Sequence, residues 1–185
     1  MIQENAPIET NNLSLRAFEK SDLNDFFECC KNPNLGNNAG WKPHETKEES
    51  KTVLEEIFIG TDGMWAIVLK ETSRVIGSIG IINDPKRENL HARMLGYWLK
   101  EDYWGMGLAT EATTAILKYG FMTLNLNIIT ANCYPHNTRS RLLLERNGFT
   151  YEGILHQAEE TYDGHVYDHL CFYLTRALFE RQNNL

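Results

Sequence analysis

Apolar and polar residues follow two different periods along the chain, and each period predicts a type of element. Alternation and short runs of β-branched and aromatic residues predict seven strands, over 12–18, 64–70, 75–82, 93–99, 127–133, 155–162 and 166–174. Helical spacing after a capping residue predicts helices over about 47–58, 108–119 and 138–146, and an earlier helix capped by Ser21. The Asn-, Pro- and Gly-rich stretches 32–34 and 37–40 are predicted to be loops.

Cap and turn signals agree with this division. Thr46, with Glu49 three residues on, forms a capping box before the helix over 47–58. Asn147-Gly148 is a stop signal after the helix over 138–146. Thr72-Ser73-Arg74 and Asp163-Gly164 are typical of hairpin turns. The limits of these elements are therefore marked by residues with a local physical reason.

The order of the elements predicts the fold. The helix over 108–119 joins the strands over 93–99 and 127–133 as a β-α-β crossover, and such a crossover makes its two strands parallel. The hairpins on either side add antiparallel pairs. We predict an α+β (mixed α/β) protein: one domain over 1–185, with its core over about 10–176. Its central sheet is expected to be mixed, mostly antiparallel and of about seven strands, with flanking helices.

A glycine-containing loop precedes the crossover helix. Its residues are Trp104-Gly105-Met106-Gly107-Leu108-Ala109-Thr110. Two glycines at a strand-to-helix junction allow a sharp turn and a close approach of ligand to backbone. The first amides of the helix lack partners within the helix, and the helix dipole places partial positive charge there. The loop is therefore predicted to hold a phosphate-bearing molecule.

Other interpretations of this loop differ in how well they fit. A Walker A loop needs Lys after its last glycine, and Leu108 follows Gly107. A dinucleotide fingerprint needs a third glycine, where Thr110 stands, and an acidic residue about 20 positions on, yet residues 112–144 contain no Asp or Glu. A tight turn that binds no ligand stays open on these residues alone.

Composition and charge narrow the classes of function. The chain has 185 residues, a hydrophobic share of 42% and a charged share of 23%, as in ordinary globular domains. A formal net charge of −7 disfavours nucleic-acid and membrane partners. Residues 1–5 lack the basic and apolar regions of a signal peptide, and no apolar run approaches the ~20 residues of a membrane helix. A cytoplasmic location is expected.

The cysteines do not form a metal-binding or redox pattern. Cys29, Cys30, Cys133 and Cys171 contain no Cys-x-x-Cys pair. We expect all four to be reduced and partly buried, as free cysteines usually are. No metal is expected.

Three motifs, taken in order, resemble the GNAT superfamily of N-acetyltransferases. They are Trp104-Gly105-Met106-Gly107-Leu108-Ala109-Thr110-Glu111-Ala112, Asn137-x-x-Ser140 and Asn147-Gly148-Phe149. The N-terminal Thr10-x-x-Leu13-x-Leu15-Arg16, followed by Asp22, is similar to the ribosomal-protein N-terminal acetyltransferase (RimJ/RimL type) branch. The resemblance covers roughly residues 10–176 and implies a GNAT-like fold.

The resemblance implies a reaction and its partners. Acetyl-CoA would be the donor and a primary amine the acceptor, with the α-amine of a protein N-terminus, such as that of a ribosomal protein, favoured. Small amines (a polyamine, an amino sugar or an amino acid) stay open, as does a module that binds acyl-CoA without turnover. A homodimer is expected by family analogy.

The family pattern also implies which residues bind the donor. Its diphosphate loop matches Trp104, Gly105, Met106, Gly107, Leu108, Ala109 and Thr110. Trp104 departs from the usual Gln or Arg, which matters little if loop amides bind the phosphates. The strand whose main chain lies along pantetheine matches Tyr97, Trp98 and Leu99, and Asn137 matches an Asn near the pantetheine arm.

Amine acetylation needs a base, because a protonated amine with a pKa of about 10.4 cannot attack, and it benefits from an acid for the leaving thiolate. The residue implied as base is Glu159. Neighbouring strand residues point to opposite faces, so only one of Glu159 and Glu160 can face a cleft. Many family members carry a Tyr acid where this chain has Leu144, and the branch's alternative acid matches Ser140. Three alternatives stay open: that Ser140 caps the helix, that hydrogen bonds alone stabilise the leaving thiolate without an acid, and that both glutamates are solvated.

Five other residues have simpler explanations. Trp41 and His44 either line the acceptor entrance or pack against the core. Tyr167 and His169 are explained by pairing across the last hairpin. His136 is expected to have no role in the reaction, because no metal ligand stands at a suitable spacing.

Overall fold

The computed structural model describes residues 6–184. Its strands are β1 (Ile8–Glu9), β2 (Leu13–Arg16), β3 (Met64–Leu69), β4 (Arg74–Ile82), β5 (Ala92–Leu99), β6 (Ile128–Cys133), β7 (Thr150–Glu160) and β8 (Val166–Thr175). Its α-helices are α1 (Leu23–Cys30), α2 (Pro33–Ala39), α3 (Lys47–Val53), α4 (Leu108–Met122), α5 (Thr138–Arg146) and α6 (Arg176–Asn183). A π-helical turn, Leu54–Phe58, continues α3. Residues 1–5, where a signal peptide would begin, lie outside the described residues.

The strands form one sheet in the order β1-β2-β3-β4-β5-β6-β8-β7. β5 and β6 pair in parallel, with Ala92 opposite Ile128, and α4 lies between them in the chain. The pairs β1–β2, β2–β3, β3–β4, β6–β8 and β7–β8 are antiparallel. The prediction of a mixed, mostly antiparallel sheet with one β-α-β crossover is confirmed.

All seven predicted strands are present, and the eighth is β1. It has two residues, too few for any periodicity to show. β7 begins at Thr150, five positions before the predicted start at Leu155. Thr46 is the N-cap of α3, as predicted, and its hydroxyl accepts a hydrogen bond from the Glu49 amide at 3.2 Å.

The predicted loop at 32–34 and 37–40 is wrong, because α2 occupies it. The Asn32 side chain accepts hydrogen bonds from the amides of Asn34 and Leu35, at 2.8 and 3.3 Å. Pro33 stands at the first helical position, which suits its fixed φ, and Gly40 ends the helix with a φ of 84°. Leu35 is buried in the core, so tertiary packing stabilises a sequence of poor helix formers.

Ser21 is not the cap that the sequence predicts. A 3₁₀ turn over Lys20–Asp22 follows Glu19, and α1 begins after Asp22. The Asp22 carboxylate is buried. It accepts hydrogen bonds from Nη1 and Nη2 of Arg16 and from the Glu19 amide, each at 2.8 Å. A buried bidentate pair of this kind outweighs the local preference of a serine for a cap. It also gives the Arg16 and Asp22 of the N-terminal motif a structural role.

The described residues belong to two compact units. The first unit comprises the described residues within 1–80 and 97–115, and the second unit comprises those within 81–96 and 116–185. The core of the first unit is aromatic: Phe26 lies 5.0 Å from Phe58 and 5.9 Å from Trp98, between ring centroids, in edge-on contacts. Edge-on aromatic pairs of this geometry stabilise the folded state by more than the burial of their apolar surface alone. The prediction of one domain stays a prediction.

The second unit is built on the β6–β8–β7 part of the sheet. Phe121 stacks on Phe179 at 4.8 Å, and a Cβ added to Gly120 would lie 2.8 Å from Ile129 and 2.9 Å from Ile81. Gly120 is therefore required by the close approach of helix to sheet. The β7–β8 ladder is irregular between Leu155, which faces His169, and Glu159, which faces Tyr167. This irregularity positions the acidic residues of β7.

Candidate active site

The glycine loop, residues 104–110, has the backbone that the sequence predicts. Gly105 and Gly107 have φ values of 78° and 80°, in the left-handed region that disfavours side chains. A Cβ added at either position would meet no described atom within 4 Å. The backbone conformation requires these glycines, while the space beside them is open. Both are exposed to solvent, as an incoming ligand needs.

Beside this loop lie the first backbone amides of α4, which come before the first hydrogen bond of the helix. The first bond of the helix runs from the Glu111 amide to the Gly107 carbonyl, at 3.0 Å. The amides of Leu108, Ala109 and Thr110 precede it, at the positive end of the helix dipole. An anion at this position would gain both hydrogen bonds and a favourable field.

Glu111 fixes the start of α4 to the turn between β1 and β2. Its carboxylate accepts hydrogen bonds from the Thr10 hydroxyl at 2.5 Å and from the Asn12 amide at 2.7 Å. The Asn12 side chain adds a third at 2.8 Å. Burial alone would raise the pKa of Glu111, but the bonds from Asn12 and Thr10 outweigh it and lower the pKa. The conformation of the helix start is thereby set by residues about 100 positions away.

Trp104 fastens the loop at its other end. The indole nitrogen donates to the Leu99 carbonyl at 2.6 Å, and the ring packs against the aromatic core of the first unit. The side chains of Trp98 and Leu99 are buried, so the main chain is what these residues can offer a ligand. Tyr97 is half-buried. In place of the usual Gln or Arg, Trp104 therefore serves as an anchor.

Glu159 lies in the second unit and is held by two neighbouring side chains. Its Oε2 is 3.0 Å from His169 Nε2, and 39% of its side chain is exposed. Burial first, and a hydrogen bond to Glu159 second, raise the pKa of the Tyr134 hydroxyl. Glu160, opposite Val166 and exposed, is the neighbour on the other face. Of the two adjacent glutamates, Glu159, which the resemblance implies as base, is therefore the one that meets His169.

His169 is itself held on its other side. Its Nδ1 is 3.0 Å from Asn132 Nδ2, and Asn132 Oδ1 is 3.5 Å from the Lys86 ammonium. Sequence analysis missed Asn132 and Tyr134, and it explained His169 by cross-strand pairing. The available signal was weak, because Asn132 and His169 are 37 positions apart and meet only through the β6–β8 register.

The remaining family positions lie around the start of α5. Asn137 caps this helix, its side-chain oxygen accepting from the Ser140 amide at 3.1 Å. Capping therefore falls to Asn137, and the Ser140 hydroxyl bonds to the Cys133 thiol. Burial raises the pKa of Cys133 to about 11, and the Ser140 bond opposes this shift. Leu144 is fully buried, so the position of the usual Tyr acid is part of the core.

The structure also places the residues with simpler explanations. Trp41 packs on Trp98, with ring centroids 5.9 Å apart. His44 is buried, with Nδ1 2.7 Å from the Ser50 hydroxyl, and its burial lowers its pKa. His136 stacks on Tyr134 at 5.3 Å. Trp41 and His44 belong to the packing of the first unit.

Several other features bear on chemistry. Cys29, Cys30 and Cys133 are buried free thiols, and Cys171 is a half-buried one. Within residues 6–184, no three His, Cys, Asp or Glu side chains come together as a metal ion would require. None of the helices in that range combines the length and apolar character needed to cross a membrane.

Comparison with known proteins identifies the family. Residues 12–150 match the model of the acetyltransferase (GNAT) domain. The chain is 32% identical over 171 residues to the uncharacterized N-acetyltransferase p20 of Bacillus licheniformis, covering 90% of this chain and 94% of that one. It is 28% identical over 171 residues to the ribosomal-protein-serine acetyltransferase of Escherichia coli, covering 89% and 92%.

A solved structure of the GNAT family has a similar fold. The GNAT-family acetyltransferase of Bacillus anthracis superposes with a TM-score of 0.81 at 23% identity, covering 93% of this chain and 99% of that one. The domain match and the relatives indicate the same family as the glycine loop at the start of α4. The chain belongs to the GNAT family of acetyltransferases and is an N-acetyltransferase.

Proposed function

We propose that the protein moves an acetyl group from acetyl-CoA to the α-amine of a protein N-terminus, such as that of a ribosomal protein, with Glu159 as base. One observation carries the proposal: the Glu159 carboxylate is held by His169 and Tyr134 while 39% of its side chain remains exposed. A base needs both properties, a fixed position and access to the amine.

GNAT acetyltransferases use acetyl-CoA, and the glycine loop fits its diphosphate. The positive φ values of Gly105 and Gly107, the open space beside them and the amides up to Thr110 supply a cradle for an anion. We assign the main chain of Tyr97, Trp98 and Leu99 and the side chain of Asn137 to the pantetheine arm. The bound donor supplies a thioester carbonyl.

Glu159 takes a proton from the incoming ammonium group, which leaves a nitrogen lone pair free to attack. The lone pair attacks the thioester carbonyl, the new C–N bond forms, and the C–S bond breaks, so that the sulfur carries away the electron pair. The nitrogen then releases its second proton to water and becomes the amide N–H. The Ser140 hydroxyl is assigned to give that sulfur a proton and to regain one from water. Ser140 lies at the start of α5, three residues after Asn137, whose side-chain oxygen accepts a hydrogen bond from the Ser140 amide at 3.1 Å.

The choice of acceptor rests on a relative and on charge. One relative that spans most of the chain is named a ribosomal-protein-serine acetyltransferase. A net charge of −7 favours a basic partner, and ribosomal proteins are basic, though a polyamine would be attracted in the same way. The membership of the family removes the alternative of an acyl-CoA-binding module without turnover. A homodimer and a cytoplasmic location stay predictions.

A panel of amines tests the acceptor. Thiol release from acetyl-CoA is followed with a lysine-free peptide that has a free α-amine, and with an α-blocked peptide that has one lysine. A polyamine, an amino sugar and an amino acid complete the panel. We expect turnover with the first peptide, and mass spectrometry should place one acetyl group on its first residue. Turnover with small amines alone would overturn the proposed acceptor.

A further inference from the structure

We infer that His169 is the positioning residue of Glu159, and that Asn132 holds it in the neutral form whose proton is on Nε2. The inference rests on the proposed function, because it assumes that Glu159 is the base. It extends that function to two residues on β6 and β8.

The hydrogen bonds of His169 define its tautomer. A neutral imidazole has one N–H donor and one acceptor nitrogen. The Glu159 carboxylate, 3.0 Å from Nε2, can only accept, so Nε2 carries the proton. Nδ1 must then accept, and the Asn132 amide nitrogen, 3.0 Å away, is a donor. Both ring nitrogens are thereby satisfied in a side chain that is only 10% exposed.

Lys86 supports this orientation of Asn132. An ammonium group can only donate, and Lys86 Nζ lies 3.5 Å from Asn132 Oδ1. The Asn132 amide therefore points its oxygen toward Lys86 and its nitrogen toward His169, so that each donor faces an acceptor. A flipped amide would bring Nδ2 against the ammonium and offer His169 an acceptor instead. Asn132 thus disfavours an imidazolium at this position.

A neutral partner matters to a base. An imidazolium would form an ion pair with Glu159 and compete with the ammonium group of the substrate for the carboxylate. A neutral N–H fixes the carboxylate while leaving it the net charge with which it takes a proton from the amine. The Tyr134 hydroxyl is a second neutral donor to the same carboxylate. Glu159 is therefore positioned by hydrogen bonds and not by charge.

An irregular ladder brings the two residues within reach. His169 faces Leu155 and Tyr167 faces Glu159, so four steps along β7 correspond to two along β8. Gln157, inside this bulge, has a φ of 49°, and its amide donates to Asp168 Oδ1 at 2.8 Å. Without the two extra residues, Glu159 would face residue 165 and would lie two residues further from His169 along β8. Bulges commonly redirect a side chain in this manner at functional sites.

Two conservative variants separate positioning from packing. In His169→Gln, the amide nitrogen reaches about as far as Nε2 and donates to Glu159; in His169→Asn, the side chain is one bond shorter and does not. We expect kcat to fall by about 10-fold or more in His169→Asn, the equivalent of one hydrogen bond to a charged group, and to be largely retained in His169→Gln. KM for acetyl-CoA should not change.

His156→Gln is the matched control. His156 also meets a carboxylate, with Nδ1 2.9 Å from Asp168, but 76% of its side chain is exposed. We expect its kcat to equal that of the wild type with whichever amine the protein accepts. Equal kcat losses in both His169 variants, or no loss in either, would overturn the positioning role.

The tautomer is measured without turnover. In the ¹⁵N NMR spectrum of the ligand-free protein, His169 should show a protonated Nε2 and an unprotonated Nδ1 at neutral pH. In Asn132→Asp, a carboxylate replaces the amide, and Nδ1 should become protonated while kcat falls. A wild-type spectrum with a proton on Nδ1 would refute the inference. This readout is independent of the acceptor, so failure of the amine panel and failure of the tautomer are distinguishable.

Discussion

The glycine loop of the first unit and the Glu159 network of the second unit (Glu159, His169, Asn132, Tyr134 and Lys86) are built in opposite ways. The loop uses consecutive residues, and the groups that would meet a ligand are main-chain amides. The network uses side chains from separate strands and loops, and Asn132 and Lys86 are 46 positions apart.

This difference affects tolerance to substitution. A main-chain site needs a backbone conformation and accepts Trp104 at a position where the family pattern implies Gln or Arg. A side-chain network needs each residue type, because donors and acceptors must alternate along it. Substitutions in the network should therefore change the chemical step, and substitutions in the loop should change the affinity for acetyl-CoA.

The largest effect is expected at the base. Glu159→Gln removes the proton acceptor and keeps the shape, so kcat should fall by about 10²-fold or more at saturating acetyl-CoA. The Kd for acetyl-CoA, measured by calorimetry, should stay near that of the wild type because the loop is intact.

Glu160→Gln provides the control for this experiment. Glu160 is exposed and lies on the other face of β7, so its variant should keep the wild-type kcat. A near-normal kcat for Glu159→Gln, or equal losses in both variants, would rule out Glu159 as the base.

A smaller effect is expected in the loop. Gly107→Ala forces a side chain into the left-handed region, at a cost of about 1–2 kcal/mol. We expect acetyl-CoA to bind about 10-fold more weakly, with kcat at saturation little changed.

Gly60→Ala is matched to it, because Gly60 has a φ of 75° and no described atom within 4 Å of an added Cβ. It should lose similar stability and keep the affinity for acetyl-CoA. If the two variants bind acetyl-CoA equally well, the loop is not the diphosphate site.

The two units also differ in their buried histidines. His169 faces a carboxylate, whereas His44 faces the Ser50 hydroxyl and lies 6.0 Å from Phe26. Burial lowers the pKa of His44 below its ordinary value of 6.5. Between the folded pKa and 6.5, His44 is therefore protonated in the unfolded chain and neutral in the folded chain. The free energy of unfolding should therefore fall as the pH drops below 6.5 and level off below the folded pKa.

The titration of one histidine changes the free energy of unfolding by at most about 1.4 kcal/mol per pH unit. Urea unfolding at several pH values between 7.5 and 5 measures it. His44→Gln should flatten the dependence in that window. An unchanged slope in the variant would show that His44 does not set it.

The smallest effect is expected at the loop anchor. Trp104→Phe keeps an aromatic ring against the core and removes the donor to the Leu99 carbonyl. The loss of one hydrogen bond is worth about 0.5–1.5 kcal/mol. We expect the affinity for acetyl-CoA to weaken by about two- to fivefold in calorimetry. A loss as large as that of Gly107→Ala would mean that the indole contributes to the site as much as the backbone does.

Several features followed from local sequence signals. The Thr46 cap, the Asn147-Gly148 stop and the two glycines of the loop act within a few residues of themselves, so their meaning does not depend on the rest of the fold. The error at α2 has a different cause. Asn32 and Pro33 are a valid helix start, but the poor helix formers that follow are stabilised by the burial of Leu35.

The sequence alone indicated the family, the loop that is proposed to bind phosphate, and the pair of glutamates that contains the proposed base. Only the tertiary structure decided which glutamate meets His169, what orients His169, and that Trp104 is an anchor. For the Glu159 network, the physical reason is distance along the chain: its residues are 10 to 46 positions apart and meet through strand register and a bulge, which local periodicity does not predict. For Trp104, the reason is its packing against a core that is assembled only in the fold.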